Sequence, residues 1–557
     1  MLLESAIVHR FPHLPLTLAF ALALLGPVGA TMAASVYVDR NGNDANPGTV
    51  DRPLRSLEAL SRRIWRPGDA VYFRGGQTFA GLLKLPGGGS DSKPVIVGSY
   101  GTARATIDSA GDTLFFGYNQ GGFQFQDLNL KSSYPGESAA GILFYSDSPV
   151  GTRYPAVTVR NCDLRGFGGA AIKIGSSQPS NPGWTKIRVE NCQCRGNGEG
   201  MAVYGYDAPA PSTYAIDSLQ VIHSEFAGNR GTGLSISGVS SGLVEFCSFH
   251  DNQRVGGCWT WAARNVVIQH CISYRNRRGS GNDGFGFDLD GGSVGCTIQD
   301  CLSYQNDTAG FAIFDYPDSA DTTDNAIRYC ISENDVRSGR EGASFEMNSW
   351  ANTPIRNSYI YNCVAFLTSH GGRSICAGFM GIGRQAMYGY QSGSISGCGF
   401  WNNIIYLAGG GSDLAHLYCQ FGAGTPPEIS YMGNDYASSN HRPTRICTDR
   451  TLYTSLADWR RATGQERLIA SRGIVDYGIA ADPQCAQAGK FHQVIDPTMM
   501  AQSIIWRPMP NSPCLRSGVD LKKQFRVNPG GSDFYGNPIH ESGSVTIGAA
   551  GAESVIR

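Results

Sequence analysis

Carboxylates crowd the middle of this 557-residue sequence. The segment GNDGFGFDLDGGS (281–293) holds Asp283, Asp288 and Asp290, and Asp315 and Glu346 follow. If Phe285–Asp290 is a strand, Asp288 and Asp290 project from one face about 6.6–7 Å apart. If later strands stack on it at ~4.8 Å per rung, Glu346 lies two rungs from Asp288, at about 9.6 Å. Carboxyl groups roughly 6.5–9.5 Å apart leave room for a water, the arrangement of an inverting glycosidase. Asp315 falls in a column that is otherwise apolar (Ile174, Leu289, Met347). Burial there would raise its pKa and suit it to general-acid work. Two other readings of the acids stay open. Asp283, Asp288, Asp290 and Asp315 would serve as an oxygen-only Ca²⁺ shell, or the acids cap strands and bind turn amides.

Aromatic and basic residues share this neighbourhood. Tyr204, Tyr206, Trp259, Trp261, Phe314 and Tyr316 fall at the same alternating positions as the acids. Flat rings beside carboxylates suit sugars, whose C–H faces stack on aromatics. If a bulky loop covers the face instead, these rings are satellite core. The loop YRNRRGSGN (274–282) adds Arg275, Arg277 and Arg278, with Arg254 and Arg264 a rung earlier. Clustered guanidiniums recognise carboxylated or sulfated sugars, and a solvated loop is the plainer reading. Lys173 lies four rungs from Asp288, about 19 Å away, so it can only contact substrate. His250 has general-base chemistry, whereas His270 precedes a repeated cysteine and reads as a turn residue. No HExxH, CxxC or phosphate-loop pattern occurs.

The elements that position these groups show in a repeat. VRNCDL, VENCQC, VEFCSF, IQHCIS, IQDCLS, IRYCIS, IYNCVA and ISGCGF place Cys162, 192, 247, 271, 301, 330, 363 and 398 in one column, with Ser224 of VIHSEF filling the gap. Successive spacings are 30, 32, 23, 24, 30, 29, 33 and 35 residues. A period of about 20–50 residues with variable insertions marks a solenoid. A second strand follows a glycine in each unit (Gly169, Gly200, Gly233, Gly257, Gly284, Gly310 and Gly342), and its first and third residues are apolar almost throughout. By alternation those residues point inward, and the second, fourth and sixth face solvent with the acids and rings among them. The expected fold is an all-β, single-stranded parallel β-helix. The ladder cysteines behave as small buried hydrophobes, and Cys447, Cys485 and Cys514 outside it are the expected disulfide formers.

The sequence resembles the right-handed parallel β-helix proteins of the pectin/pectate-lyase-like superfamily. VYVDRNGNDANPGTVDRPLRSLEAL (36–60), RPGDAVYFRGGQTF (66–79) and PVIVGSYG (94–101) are similar to that group's amino-terminal cap, and TSLADWRRATGQE (454–466) and NSPC…SVTIGA (511–549) to its closure. GNDGFGFDLDGGS resembles the DGF-x-x-D-x-DGG segment of that group. The resemblance implies a right-handed β-helix and a site on the acids, and it imports no reaction. Pectate-lyase-type calcium aspartates and catalytic arginine, a galacturonase-type NTDG…DD set and an epimerase-type DPH are not matched. The organisation expected is a signal peptide (1–34), a cap with the first turns (35–130), the helix core with the site (131–410), and closing turns and cap (411–557).

Composition bounds the function. Glycine is 72 of 557 residues and charged residues only 16 %, which fits turn-rich strands and excludes a coiled coil or a charge-driven disordered chain. Net charge of −1 gives no global field for nucleic acid or anionic membrane. Leu14–Ala30 is apolar after Arg10 and ends in small residues, as in a secretory signal peptide. The expectation is a secreted or periplasmic, polysaccharide-cleaving enzyme. Hydrolysis is favoured over Ca²⁺-dependent β-elimination of a uronan or binding alone.

Overall fold

The computed structural model describes residues 33–556, apart from 135, 179–180, 206–212, 280–282, 317–318, 339–341, 350–353, 369–375, 383–394, 410–413, 421–428, 440–441, 449–450, 471–472 and 540–544. The amino-terminal apolar segment lies outside the described residues. Each full turn of the chain gives one strand to each of three parallel sheets. Among the described residues, the first sheet has 14 strands, from Ser35–Val38 to Ile429–Met432, and the second has 13, from Thr78–Ala80 to Asp435–Ser438. The third, also of 13, starts at Phe115–Tyr118 and ends in the antiparallel pair Ile446–Thr448 and Thr451–Tyr453. Stacked rungs, each paired only with its neighbours, make this a parallel β-helix.

Its register differs from the glycine-led alignment by two residues at three rungs. Met201 pairs with Ile172 rather than Ala170, Cys258 with Phe287 rather than Phe285, and Phe311 with Phe345 rather than Ala343. A slip of two leaves every side chain on its expected face, because the strand period is two. The inward column is therefore Ile172, Met201, Leu234, Cys258, Phe287, Phe311, Phe345 and Phe379. Its last four rings stack at 5.3, 5.0 and 4.8 Å, one rung apart.

Both tight corners are built from buried polar columns. Between the first and second sheets, one residue per rung takes a left-handed conformation (Asn191, His223, Phe246, His270, Asp300, Tyr329), which confirms His270 as a turn residue. The next residue is the ladder cysteine or serine. Its Sγ reaches the carbonyl two residues back, as from Cys271 to Gln269 at 3.1 Å and from Cys301 to Gln299 at 3.1 Å. Cys398 is not in this column. Asn403 succeeds Cys363, whose amide donates to Asn403 Oδ1 at 2.9 Å, and Cys398 continues a second column of Cys296, Asn325 and Ser358.

The other corner, leading into the third sheet, holds an asparagine ladder that the cysteine repeat foreshadows. Asn197, Asn229, Asn252, Asn276, Asn306 and Asp335 each lie five residues after a column cysteine or serine. The backbone amide of each donates to the side-chain oxygen of the next, at 2.9–3.1 Å. The asparagine side-chain amides donate to backbone carbonyls near the corner, as from Asn252 to Phe226 at 3.0 Å. These bonds satisfy a buried turn that the sheets cannot.

The carboxy-terminal segment does more than close the end. Helix Leu456–Thr463, begun by Ser455 and stopped by Gly464 at φ 73°, lays Trp459 on Tyr431 and Tyr436. The chain beyond runs back along the outer face of the second sheet, burying Phe491, Trp506 and Phe534 with Tyr304, Phe366 and Trp401. Glu333 anchors it, accepting from Trp506 Nε1 at 2.6 Å, Phe491 N at 2.8 Å and Gly489 N at 3.0 Å. None of the sixteen cysteines is in a disulfide among the described residues, Cys447, Cys485 and Cys514 included. Cys514 instead donates to Asp435 at 3.3 Å.

Asn252→Ala would strand two buried donors of Asn229 and should cost about 2–5 kcal/mol, at ~1–3 kcal/mol per unsatisfied group. Cys271→Ser, which copies Ser224, should stay within about 1.5 kcal/mol. Urea midpoints at unchanged m-value check both, and a thiol titration in denaturant without reductant should count sixteen.

Candidate active site

The acids meet on the outer face of the third sheet. One outward column reads Lys173, Ala202, Ser235, Trp259, Asp288, Ala312 and Glu346. Asp288 and Glu346 are therefore two rungs apart, as expected, with Ala312 between them. The neighbouring column carries Gly175, Tyr204, Ser237 and Trp261, and beyond them Phe314 and Asn348. Asp290 leaves the strand at its end, where its amide donates to the Thr260 carbonyl at 3.1 Å.

Solvent does not reach this face as the alternation implied. Asp288 and Asp315 are 0 % exposed, and Asp290 and Glu346 are each 8 % exposed. Phe314 is buried with Phe285, Ala309 and Ala312, against partly buried Val255, Trp259 and Tyr316. Phe314 is satellite core, not an open platform. Trp259, Trp261 and Tyr316 are half-buried and form the cover, with the Trp261 and Tyr316 rings 5.9 Å apart. Tyr206 lies outside the described residues.

Tyr316 marks the centre of the cluster. Burial drives its hydroxyl well above the usual range, and Asp290, Asp288, Asp283 and Glu346 push it the same way. Asp288 is the most constrained group. Neither carboxyl oxygen has a hydrogen-bond partner among the described residues, and on the adjacent rung the buried Trp259 Nε1 has none either. Burial raises the Asp288 pKa well above the carboxylate range, reinforced by Asp290, Asp283 and Glu346. Asp290 is pushed up to about 8, chiefly by burial, against a 2.8 Å bond from Gly291 N. Burial also lifts Asp283 to about 6, opposed by Arg278. Glu346 is held differently, accepting from Ala343 N and Asn348 Nδ2, both at 2.8 Å. Asp315 turns toward the next rung, where Ser349 Oγ donates to it at 3.1 Å.

The arginines divide. Arg275 pairs with Asp251 at 2.8 Å and lies over Tyr274, on the second sheet's side of the corner. Arg277 pairs with Asp307 at 2.9 Å. Neither is directed at the acids, and of the three only Arg278 acts electrostatically on the cluster, through Asp283. His250 is held between Glu225 and Asp251 and stacks on Tyr274 at 4.6 Å, also on the second sheet. Among the described residues no group of three or more His, Cys, Asp or Glu side chains is arranged to hold a metal ion. Sequence reading missed Glu199 and Arg230. Glu199 opens the strand Glu199–Tyr204 ahead of the alternating columns, Arg230 sits in the turn before the next strand, and the signal for Arg230 is its place one residue after ladder Asn229.

The family-model comparison agrees with the architecture. A family model described as a right-handed β-helix region matches residues 209–327. A search of curated proteins found no match. Among solved structures, the chain is similar in fold to a GH136 lacto-N-biosidase from Eubacterium ramulus, with 16 % identity, TM-score 0.43, and 65 % of this chain and 66 % of that one covered. It is similar likewise to pectate lyase Pel9A (15 %, 0.34, 94 % and 97 %) and to the bacteriophage Phi29 gene product 12 N-terminal fragment (14 %, 0.37, 65 % and 68 %). The chain is a parallel β-helix protein, and its residues 209–327 match a right-handed β-helix region.

The raised carboxyl pKa values make a stability prediction. Acids held above their unfolded value of ~3.9 favour the folded state at low pH. That contribution is lost as pH rises through about 6 for Asp283 and about 8 for Asp290. Asp288→Asn removes a buried, unpaired acid and should raise the thermal midpoint more at pH 8 than at pH 5. Paired melts at the two pH values measure it.

Proposed function

We propose that this protein is an exported enzyme that hydrolyses glycosidic bonds of a polysaccharide on the outer face of the third sheet. Asp288 is the general acid and Glu346 the base that activates water, with Asp290 raising the proton affinity of the acid. The supporting observation is the buried Asp288 carboxyl, its pKa raised by burial and its oxygens without a hydrogen-bond partner among the described residues, beside a Trp259 N–H that likewise has none there. Leaving buried polar atoms unpaired costs about 1–3 kcal/mol each. A group whose partner is the substrate bears that cost in the free protein and recovers it on binding. A protonated carboxyl can give its proton to a leaving glycosidic oxygen. Glu346, two rungs away and already an acceptor of two hydrogen bonds, is placed to orient a water across about 9.6 Å of sheet. Trp259 and Trp261 supply ring faces for the sugar. Export rests on the Leu14–Ala30 segment.

A second reading, glycan binding without cleavage, is favoured by the complete burial of Asp288 beneath half-buried rings. Incubation with plant, algal and bacterial polysaccharides separates the two. Hydrolysis releases reducing ends without absorbance from unsaturated products, and Asp288→Asn and Glu346→Gln should each lower kcat by ~10²–10⁴-fold. Trp261→Ala should raise KM more than it lowers kcat. Unsaturated products lost on chelation would replace this reading with calcium-dependent elimination. Binding abolished by Trp261→Ala and unaffected by Asp288→Asn, with no products, would replace it with a binding protein.

A further inference from the structure

Along the same face, toward the amino terminus, lies a pocket that the acids do not use. It has a volume of about 540 Å³ and is lined by Lys173, Glu199, Arg230 and Arg254 with Gly168 and Gly198. The three cations are exposed, and among the described residues none forms an ion pair. The surrounding surface behaves otherwise. Arg195 pairs with Glu225, Arg275 with Asp251 and Arg277 with Asp307. Arg230 and Arg277 occupy equivalent places, each one residue after a ladder asparagine. The rung after Arg277 supplies Asp307, whereas the neighbours of Arg230 in that column are Gly198 and Gln253.

The cations are also oriented. Arg230 Nη2 donates to the Gly168 carbonyl at 2.9 Å, and the Lys173 ammonium lies 5.3 Å from the centre of the Tyr204 ring. Glu199 is half-buried on the pocket wall, and burial raises its pKa while Lys173 lowers it. The raised pKa makes Glu199 more readily protonated, and protonation would remove the negative charge that repels an anion. Glycines on the wall keep the space open, and a Cβ on Gly231 would press on Glu199 Cγ at 3.1 Å. From Lys173 the outward column runs over small Ala202 and Ser235 to Trp259 and Asp288, a floor of about four rungs or ~19 Å.

We infer that this pocket binds an anionic substituent, carboxylate or sulfate, of a polysaccharide lying along the third sheet between Lys173 and Asp288. The inference rests on the reading of this face as the substrate face and adds the class of substrate. Arginine and lysine around an open pocket recognise such groups by charge-assisted hydrogen bonds, and three of them give a salt-dependent affinity.

Affinity electrophoresis of the Asp288→Asn protein in gels of polygalacturonate, alginate or chondroitin sulfate tests it. Carboxyl-reduced and desulfated forms of the same polymers separate the two anions. At least one charged polymer should retard the protein, its neutralised form should not, and added NaCl should weaken retardation. Lys173→Ala, Arg230→Ala and Arg254→Ala should each weaken binding by about tenfold, with Lys173→Arg restoring it. These side chains are exposed, so the thermal midpoints should not move. Equal retardation by charged and neutralised polymers, retardation unchanged in all three alanine variants, or none by any charged polymer would overturn the pocket's role. Binding lost in those variants while the unsubstituted enzyme releases no products would instead keep the pocket and remove Asp288 and Glu346 as catalysts. Turnover of neutral polymers alone would do the reverse.

Discussion

Backbone hydrogen bonds between successive rungs, repeated at about 4.8 Å, set the terms for everything else in this protein. A parallel ladder forces each side chain to sit on its counterpart a rung away. Like then stacks on like: four phenylalanines from Phe287 to Phe379 inside, cysteines at one corner and asparagines at the other. The same constraint carries outward. Asp288 and Glu346 are at a workable separation because one rung, bearing the small Ala312, lies between them.

Corners are where a β-helix must satisfy backbone groups that its sheets leave free. The asparagine ladder does this with two bonds per rung, and the left-handed residue before each ladder cysteine turns the chain without glycine. Many surface charges and interior polar groups are paired by rung neighbours, which makes the exceptions informative. Among the described residues, Asp288 is buried without a hydrogen-bond partner, and the exposed Lys173, Arg230 and Arg254 form no ion pair. Both lie along the third sheet, the two arginines in the turns that lead into its strands. Pairing is cheap in a stacked repeat, since the partner needs only to be the right residue one rung on, so a lack of pairing there points to something other than stability.

Much of this was legible in one dimension. The cysteine spacing carried the rung length and the alternation carried the face, and a register wrong by two at three rungs still assigned every acid to the correct side. The asparagine ladder was equally legible, five residues beyond the cysteine column, but it shows only when the corner is known to need donors. Cys398 was misassigned because Asn403, its replacement in the column, is a different residue type that satisfies the same amide. Phe314 was misjudged as a platform, since alternation tells which side of a sheet a ring is on and not what covers it.

Composition and periodicity alone determined the β-helix, the outward acids and the two-rung separation of Asp288 from Glu346, because these follow from strand period and rung height, both local properties of the chain. Tertiary structure decided the rest. Which arginines are neutralised, whether Asp288 meets water, and that the carboxy-terminal segment lies along the second sheet depend on contacts between residues far apart in sequence. Glu333 and Trp506 are 173 residues apart and meet at 2.6 Å. Nothing in the spacing of either encodes the other, and only the folded chain brings them together.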